Sequence, residues 1–165
     1  MELRLYSFVN FYLSSIQQGI QTGHAAVDLV RRYRHVLGKS GQPELCSMVE
    51  EWADKHKTFI ILNGGDNDAV REARSIVFAS GFPCISFSEP GLRSLETCVV
   101  TILPESIFNT TIRQPDIISR PTWPMVKFET VYEYVDPVTT AVTPYFSVHP
   151  HYELIKLLKS SRLAI

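Results

Sequence analysis

Four polar side chains gather at the start of one predicted helix: Gln17, Gln18, Gln21 and His24, within Ser14-Ser15-Ile16-Gln17-Gln18-Gly19-Ile20-Gln21-Thr22-Gly23-His24-Ala25-Ala26-Val27. Carboxamides offer neutral donors and acceptors, which suit a base edge or a phosphate oxygen. Ser14 with Gln17, and Ser15 with Gln18, can each form a capping box, so both serines read as caps and not as nucleophiles. The mouth of the helix is free of carboxylates. Its amide N–H groups and its dipole favour an anion such as a phosphate. His24 lies about two turns in, beside Gly23, Ala25 and Ala26, small residues that let a backbone or a ligand approach. Farther along stand Arg31, Arg32 and Arg34. They either complement the C-terminal helix dipole or contact a longer phosphate chain. Gly64-Gly65 has no Lys-Ser/Thr pair after it and reads as a turn. His149 and His151 flank Pro150 without a third ligand, so no metal and no cofactor is expected.

These residues need a scaffold to position them. An apolar run from Leu3 to Leu13 reads as a strand and leads into a helix over about 15–37. Ile16, Ile20, Val27 and Val30 recur in that helix at close to helical spacing. A second helix is predicted over Glu44 to Lys55 and a buried strand over Thr58 to Leu62. A third helix follows over about 67–80, stopped by Gly81 with Pro83 beyond. Cys84 to Phe87 and Thr97 to Leu103 read as strands on either side of the polar loop Ser88 to Glu96. Such alternation predicts an α/β fold: a four-stranded mixed sheet with helices on both faces. Residues 104–124 carry Pro104, Pro115, Pro121 and Pro124 and read as an ordered linker over the surface. Met125 to Val135 and Thr139 to Val148 then alternate as an antiparallel pair, and a last helix spans about 150–162. The expected division is a core over 1–105 and a strand-helix extension over 106–165 packed on it.

Composition narrows the function classes. The chain has 165 residues, 45% of them hydrophobic and 20% charged, with a formal charge of −1, so nothing draws it globally to nucleic acid. No apolar run approaches the roughly 20 residues that span a bilayer, which predicts no membrane partner. Glu2 and Arg4 interrupt any secretory pattern, and Cys46, Cys84 and Cys98 form no CxxC pair. The expectation is a reduced, cytoplasmic protein in which Cys84 and Cys98 act as small buried hydrophobes.

Residues 3–105 resemble the type II peptidyl-tRNA hydrolases, the archaeal and eukaryotic class. That family opens its first long helix with Gly-Lys-hydrophobic-Ala-Ala-Gln-x-x-His-Ala. Ile16 to Ala25 matches it at Gln21, His24 and Ala25. Trp52, the strand Thr58 to Leu62, the stop Gly81-Phe82-Pro83 and the strand Val99 to Leu103 keep the family's order. The resemblance implies a hydrolase site in which His24 is general base or orienting group, with Glu89 as its carboxylate partner. Two departures weaken that implication. The family's lysine falls on Gln17, and its aspartate loop falls on Ser88 to Glu96, where Glu89 is the nearest carboxylate. Losses of this kind in a cooperative site commonly cost orders of magnitude in rate.

Three functions follow. The first is a non-catalytic binder of a nucleotide, an RNA end or a protein partner through Gln17, Gln18, Gln21, His24 and Glu89. The second is a divergent peptidyl-tRNA hydrolase or related esterase using His24 and Glu89. The third is an interaction protein working through its C-terminal extension, whose aromatic residues (Trp123, Phe128, Tyr132, Tyr134, Tyr145, Phe146 and Tyr152) suit a strand core or a homodimer interface.

Overall fold

Leu3–Val9 forms β1, and all its residues but one are buried, as befits a strand covered on both faces. It lies at the centre of a computed structural model that describes residues 2–36, 42–113, 132–135, 142–145 and 151–164, with Val36 and residues 111–113, 132–135 and 142–145 as backbone only. Parallel to β1 runs β2, Thr58–Asn63, in the register Arg4↔Thr58 to Val9↔Asn63. On its other side β4, Leu95–Pro104, runs antiparallel, and β3, Cys84–Glu89, pairs antiparallel with β4. The order is β2-β1-β4-β3, the mixed four-stranded sheet expected.

Helices cover both faces. On one lie α1, Ser15–Arg31, and α2, Pro43–Glu51. Leu3, Leu5, Val9, Cys98, Val100 and Ile102 of the sheet pack there against Ala25, Ala26, Leu29, Val49 and Trp52. Each of these helices ends in a π turn, Arg32–Val36 and Trp52–His56. The wider turns carry Tyr33 and Trp52 into the core. The Tyr33 hydroxyl accepts from Cys84 N at 3.2 Å, and Trp52 Nε1 donates to the Thr58 carbonyl at 3.1 Å. On the other face α3, Asn67–Ala79, packs Ala73 and Val77 against Tyr6, Phe8, Leu62, Val99 and Leu103. Asp66 caps α3 by accepting from Asp68 N and Ala69 N.

Gly64 joins β2 to that helix where no larger residue fits. A Cβ there would lie 2.9 Å from the Val9 oxygen and 3.0 Å from Phe8 C, while Gly64 N donates to Val9 O at 2.7 Å.

Beyond β4 the chain does not start as a surface linker. The short helix α4, Glu105–Phe108, buries Ile107 and Phe108, and Thr110 is buried after it. Ile107 and Phe108 dock this stretch on the sheet, an anchoring that the nearby prolines do not signal, and the Thr110 hydroxyl donates to the Ser106 carbonyl within it. The strands β5 (Thr111–Arg113), β6 (Tyr132–Val135) and β7 (Val142–Tyr145) form a small antiparallel sheet in the order β5-β6-β7. The expected antiparallel return is therefore present over its described part. The rest of the linker, Met125 to Val131 and the ends of the second predicted strand lie outside the described residues, as do Trp123, Phe128 and Phe146 and the side chains of Tyr132, Tyr134 and Tyr145. The last helix, α5, Tyr152–Ser160, buries Leu154 and Ile155 against the α3 side of the sheet. After it, Asn63 N donates to Arg162 O and Ala164 N to Ile61 O, so the chain end covers the outer edge of β2.

Candidate functional site

The capping box at α1 forms as expected around Ser14 and Gln17. Ser14 N donates to Gln17 Oε1 at 3.0 Å, and Gln17 N to Ser14 Oγ at 3.4 Å. This occupies the Gln17 side chain and two of the amides that an anion would need. Gln18 is buried, and its Nε2 donates to the Leu13 carbonyl at 3.0 Å, with the Asn10 carbonyl at 3.5 Å. Two of the three glutamines thus serve the local structure of the helix start.

Glu89, read from the sequence as the carboxylate partner of His24, is instead bonded by Gln21, as part of a packed seam. The Gln21 Nε2 donates to Glu89 Oε2 at 2.9 Å, and its Oε1 lies 3.0 Å from the Thr97 hydroxyl, which is also 3.2 Å from the Phe87 carbonyl. A carboxylate only accepts, so the Gln21 nitrogen must face Glu89. With 7% of its surface exposed, Gln21 has little left for a ligand. A β-bulge makes the arrangement. The register shifts at Phe87/Ser88, so Thr97 is an extra residue between Glu96, opposite Ser88, and Cys98, opposite Phe87. The bulge turns Thr97 to the same face as Cys98, toward α1, and sends Glu96 to the other face, where Arg74 meets it at 3.5 Å. Next along the seam, the buried hydroxyls of Ser7 and Thr22 bond at 2.8 Å. Sequence reasoning missed Thr97, Ser7 and Thr22, because nothing in Glu96-Thr97-Cys98 marks a bulge.

Glu89 accepts from Gln21 and, through Oε1, from Gly91 N at 3.4 Å. The Gln21 amide first, and then the Gly91 N–H, hold its carboxyl below the usual carboxylate range; partial desolvation opposes them, and the neighbouring His24 acts weakly with them. Such a carboxylate is a poorer base than an ordinary one, whereas a general base works best with a pKa near the operating pH. His24 is exposed and stacks on Phe87, with ring centroids 5.3 Å apart and planes 12° apart. Among the described residues it makes no hydrogen bond to Glu89.

The arginines do not act together. Arg34 pairs with Asp54 at 3.4 Å and lies 4.0 Å from Glu50, while Arg31 and Arg32 are exposed. Among the described residues no group of three or more His, Cys, Asp or Glu is placed to hold a metal ion, and no helix is long and apolar enough to cross a membrane. A cleft of about 220 Å³ lies on the opposite face of the sheet, between α3 and α5, lined by Phe8, Gly64, Glu72, Ile76, Lys156 and Ser160 among others.

Three large apolar residues of α1 point away from the core, although Ala25, Ala26, Leu29 and Val30 of the same helix pack into it. Ile16 is 77% exposed, Ile20 50% and Val27 58%, and Tyr12, just before the helix, is 71% exposed. At about 100° per residue, Ile16, Ile20, Gly23, Val27 and Arg31 fall on one line, opposite Gln18, Gln21, Thr22, Ala25 and Leu29. Of the nine large hydrophobic residues exposed among the described ones, five lie between Phe11 and Val27. The inward face is polar because the sheet presents Ser7 and Thr97 to it, and Ala25 and Ala26 let the helix sit close. No protein-family model and no curated protein matches the sequence.

Proposed function

We propose that this chain is a non-catalytic binding protein on a peptidyl-tRNA hydrolase-like scaffold, and that it docks a protein partner on the outward face of α1. The observation that carries this reading is the outward line of α1, with Ile16, Ile20 and Val27 in solvent while Gln18, Gln21 and Thr22 share the inward face with Ala25, Ala26 and Leu29. A helix normally turns its apolar stripe to the core, and a contiguous exposed apolar patch marks an interaction site. The state of the polar residues supports the same reading. Gln17, where the resemblance would place a lysine, is a cap; Gln21 is held between Glu89 and Thr97; and Glu89 is a weakened base. Groups consumed by internal bonds are poor catalysts and poor readers of a nucleotide.

The purified chain, offered peptidyl-tRNA, nucleoside monophosphates and short RNAs, tests this. The expected result is no hydrolysis above background and no amide NMR shift at Gln21, His24 or Glu89. Turnover that vanishes in His24→Ala would replace the reading with a divergent hydrolase. Saturable shifts at Gln21 and Glu89 on adding RNA would replace it with a nucleic-acid binder.

A further inference from the structure

β1 and β2 are parallel neighbours, and the chain leaves β1 for the α1 face of the sheet and β2 for the α3 face. In open α/β sheets, ligands settle at the carboxyl ends of strands whose connections part in this way. The cleft between α3 and α5 begins there. Buried Phe8, near the end of β1, forms its floor, and Asn63 and Gly64 close it at the end of β2. The two helices that wall it run antiparallel. Asn63 N, just ahead of α3, donates to Arg162 O, just past α5, and Phe82 beyond α3 packs on His151 ahead of α5 with ring centroids 4.8 Å apart. Small side chains, Ala69 and Ala73 on α3 and Ser160 on α5, leave the space of about 220 Å³ between them.

The lining mixes an apolar base with charges of both signs. Ile76 and Leu157 join Phe8, while Glu72 on one wall and Glu153 and Lys156 on the other reach the cleft as exposed side chains. Among the described residues none of these three charged groups makes a hydrogen bond or an ion pair. Charged neighbours elsewhere on the same helices' side of the sheet do pair, as Arg71 does with Asp68 at 3.2 Å. The cleft stands between Glu72 and Lys156 and keeps them apart. The start of α3 is no anion site, because Asp66 already accepts from Asp68 N and Ala69 N. A ligand that answers the whole lining brings a cation for two carboxylates, an anion for one lysine and an apolar part for the floor. We infer that the cleft binds a small apolar α-amino acid as its zwitterion, with the ammonium toward Glu72 and Glu153, the carboxylate on Lys156 and the side chain over Phe8, Ile76 and Leu157. The inference does not rest on the docking face of α1, which lies on the other side of the sheet.

Amide NMR of the full chain tests this with L-leucine as the probe. Leucine titrated into the millimolar range should give saturable shifts at Ala69, Ala73 and Leu157. Leucine methyl ester lacks the carboxylate and N-acetylleucine lacks the ammonium, and each should bind more weakly by about fivefold or more. Lys156→Gln should weaken leucine to a similar degree and remove its advantage over the ester, with unchanged far-ultraviolet circular dichroism, because the Lys156 side chain is exposed and bonds nothing in the fold. The absence of a saturable shift with leucine overturns the inference. So does leucine binding that Lys156→Gln leaves equally tight, and so do an ester and an N-acetyl derivative that bind as well as leucine. Each of these results leaves the reading of α1 as it stands, since that reading is tested at Gln21, His24 and Glu89.

Discussion

Gln21 is bonded at both ends of its carboxamide, and that makes it the residue on which the seam depends. Gln21→Ala should destabilise the protein by about 0.5–1.5 kcal/mol, read from denaturant unfolding, because it removes the buried Gln21–Thr97 hydrogen bond. It should also return the Glu89 carboxyl toward its ordinary range, which a carbon-13 pH titration of the side chain would show. The sign follows from linkage. A depressed native pKa gives stability that is present above the unfolded value and lost as pH falls through the native one. Stability should therefore fall in acid, and by less in Gln21→Ala. Burial pushes the Cys98 thiol up to about 12 and that of Cys84 up to about 11. Both should resist alkylation at neutral pH in the native state and react once unfolded. Gln21, His24 and Glu89 were read from the sequence as parts of one site through the family resemblance. Their commitment was not, because it depends on Thr97, and Thr97 faces α1 only by virtue of a bulge that leaves no mark in the residue pattern.

At the scale of the element, α1 shows what periodicity can and cannot settle. Its start was plain from Ser14 and Gln17, and its body from the spacing of Ile16, Ile20 and Val27. The spacing of apolar residues also suggests which way a helix faces, and here that suggestion fails for Ile16, Ile20 and Val27 while holding for Val30. The sheet below α1 offers Ser7 and Thr97, which bond Thr22 and Gln21, so the polar side turns inward. Two substitutions separate the faces. Leu29→Ala, on the inward side and fully buried, should cost about 2–5 kcal/mol by thermal or denaturant unfolding. Gly19→Ala, with open space around it, should raise the melting temperature, in line with the roughly 1 kcal/mol advantage of alanine over glycine in a helix. A loss of stability in Gly19→Ala would mean that something in the chain packs there after all. The element order of the sheet was readable because each strand is short, apolar and bounded by turn residues such as Gly64, Gly65 and Gly81. The burial of α4 was not, since Pro104 suggested only a chain leaving the core.

At the scale of the whole molecule, the two faces of the sheet are finished differently. The α3 side is closed by the chain's own C-terminal helix, with Leu154 and Ile155 in the core and residues 162–164 along the edge of β2. Removing residues 151–165 should lower the melting temperature or cause aggregation, because it uncovers both at once. On the α1 side, an apolar line is left in solvent. That Ile16, Ile20 and Val27 form an open docking face for a protein partner is the central claim, and their methyl groups report on it. In a dilute wild-type sample, a soluble paramagnetic agent should broaden the methyl signals of Ile16, Ile20 and Val27 as fully as those of exposed Leu163, while sparing those of buried Leu29. Methyls of Ile16, Ile20 and Val27 protected to the level of Leu29 would contradict the account.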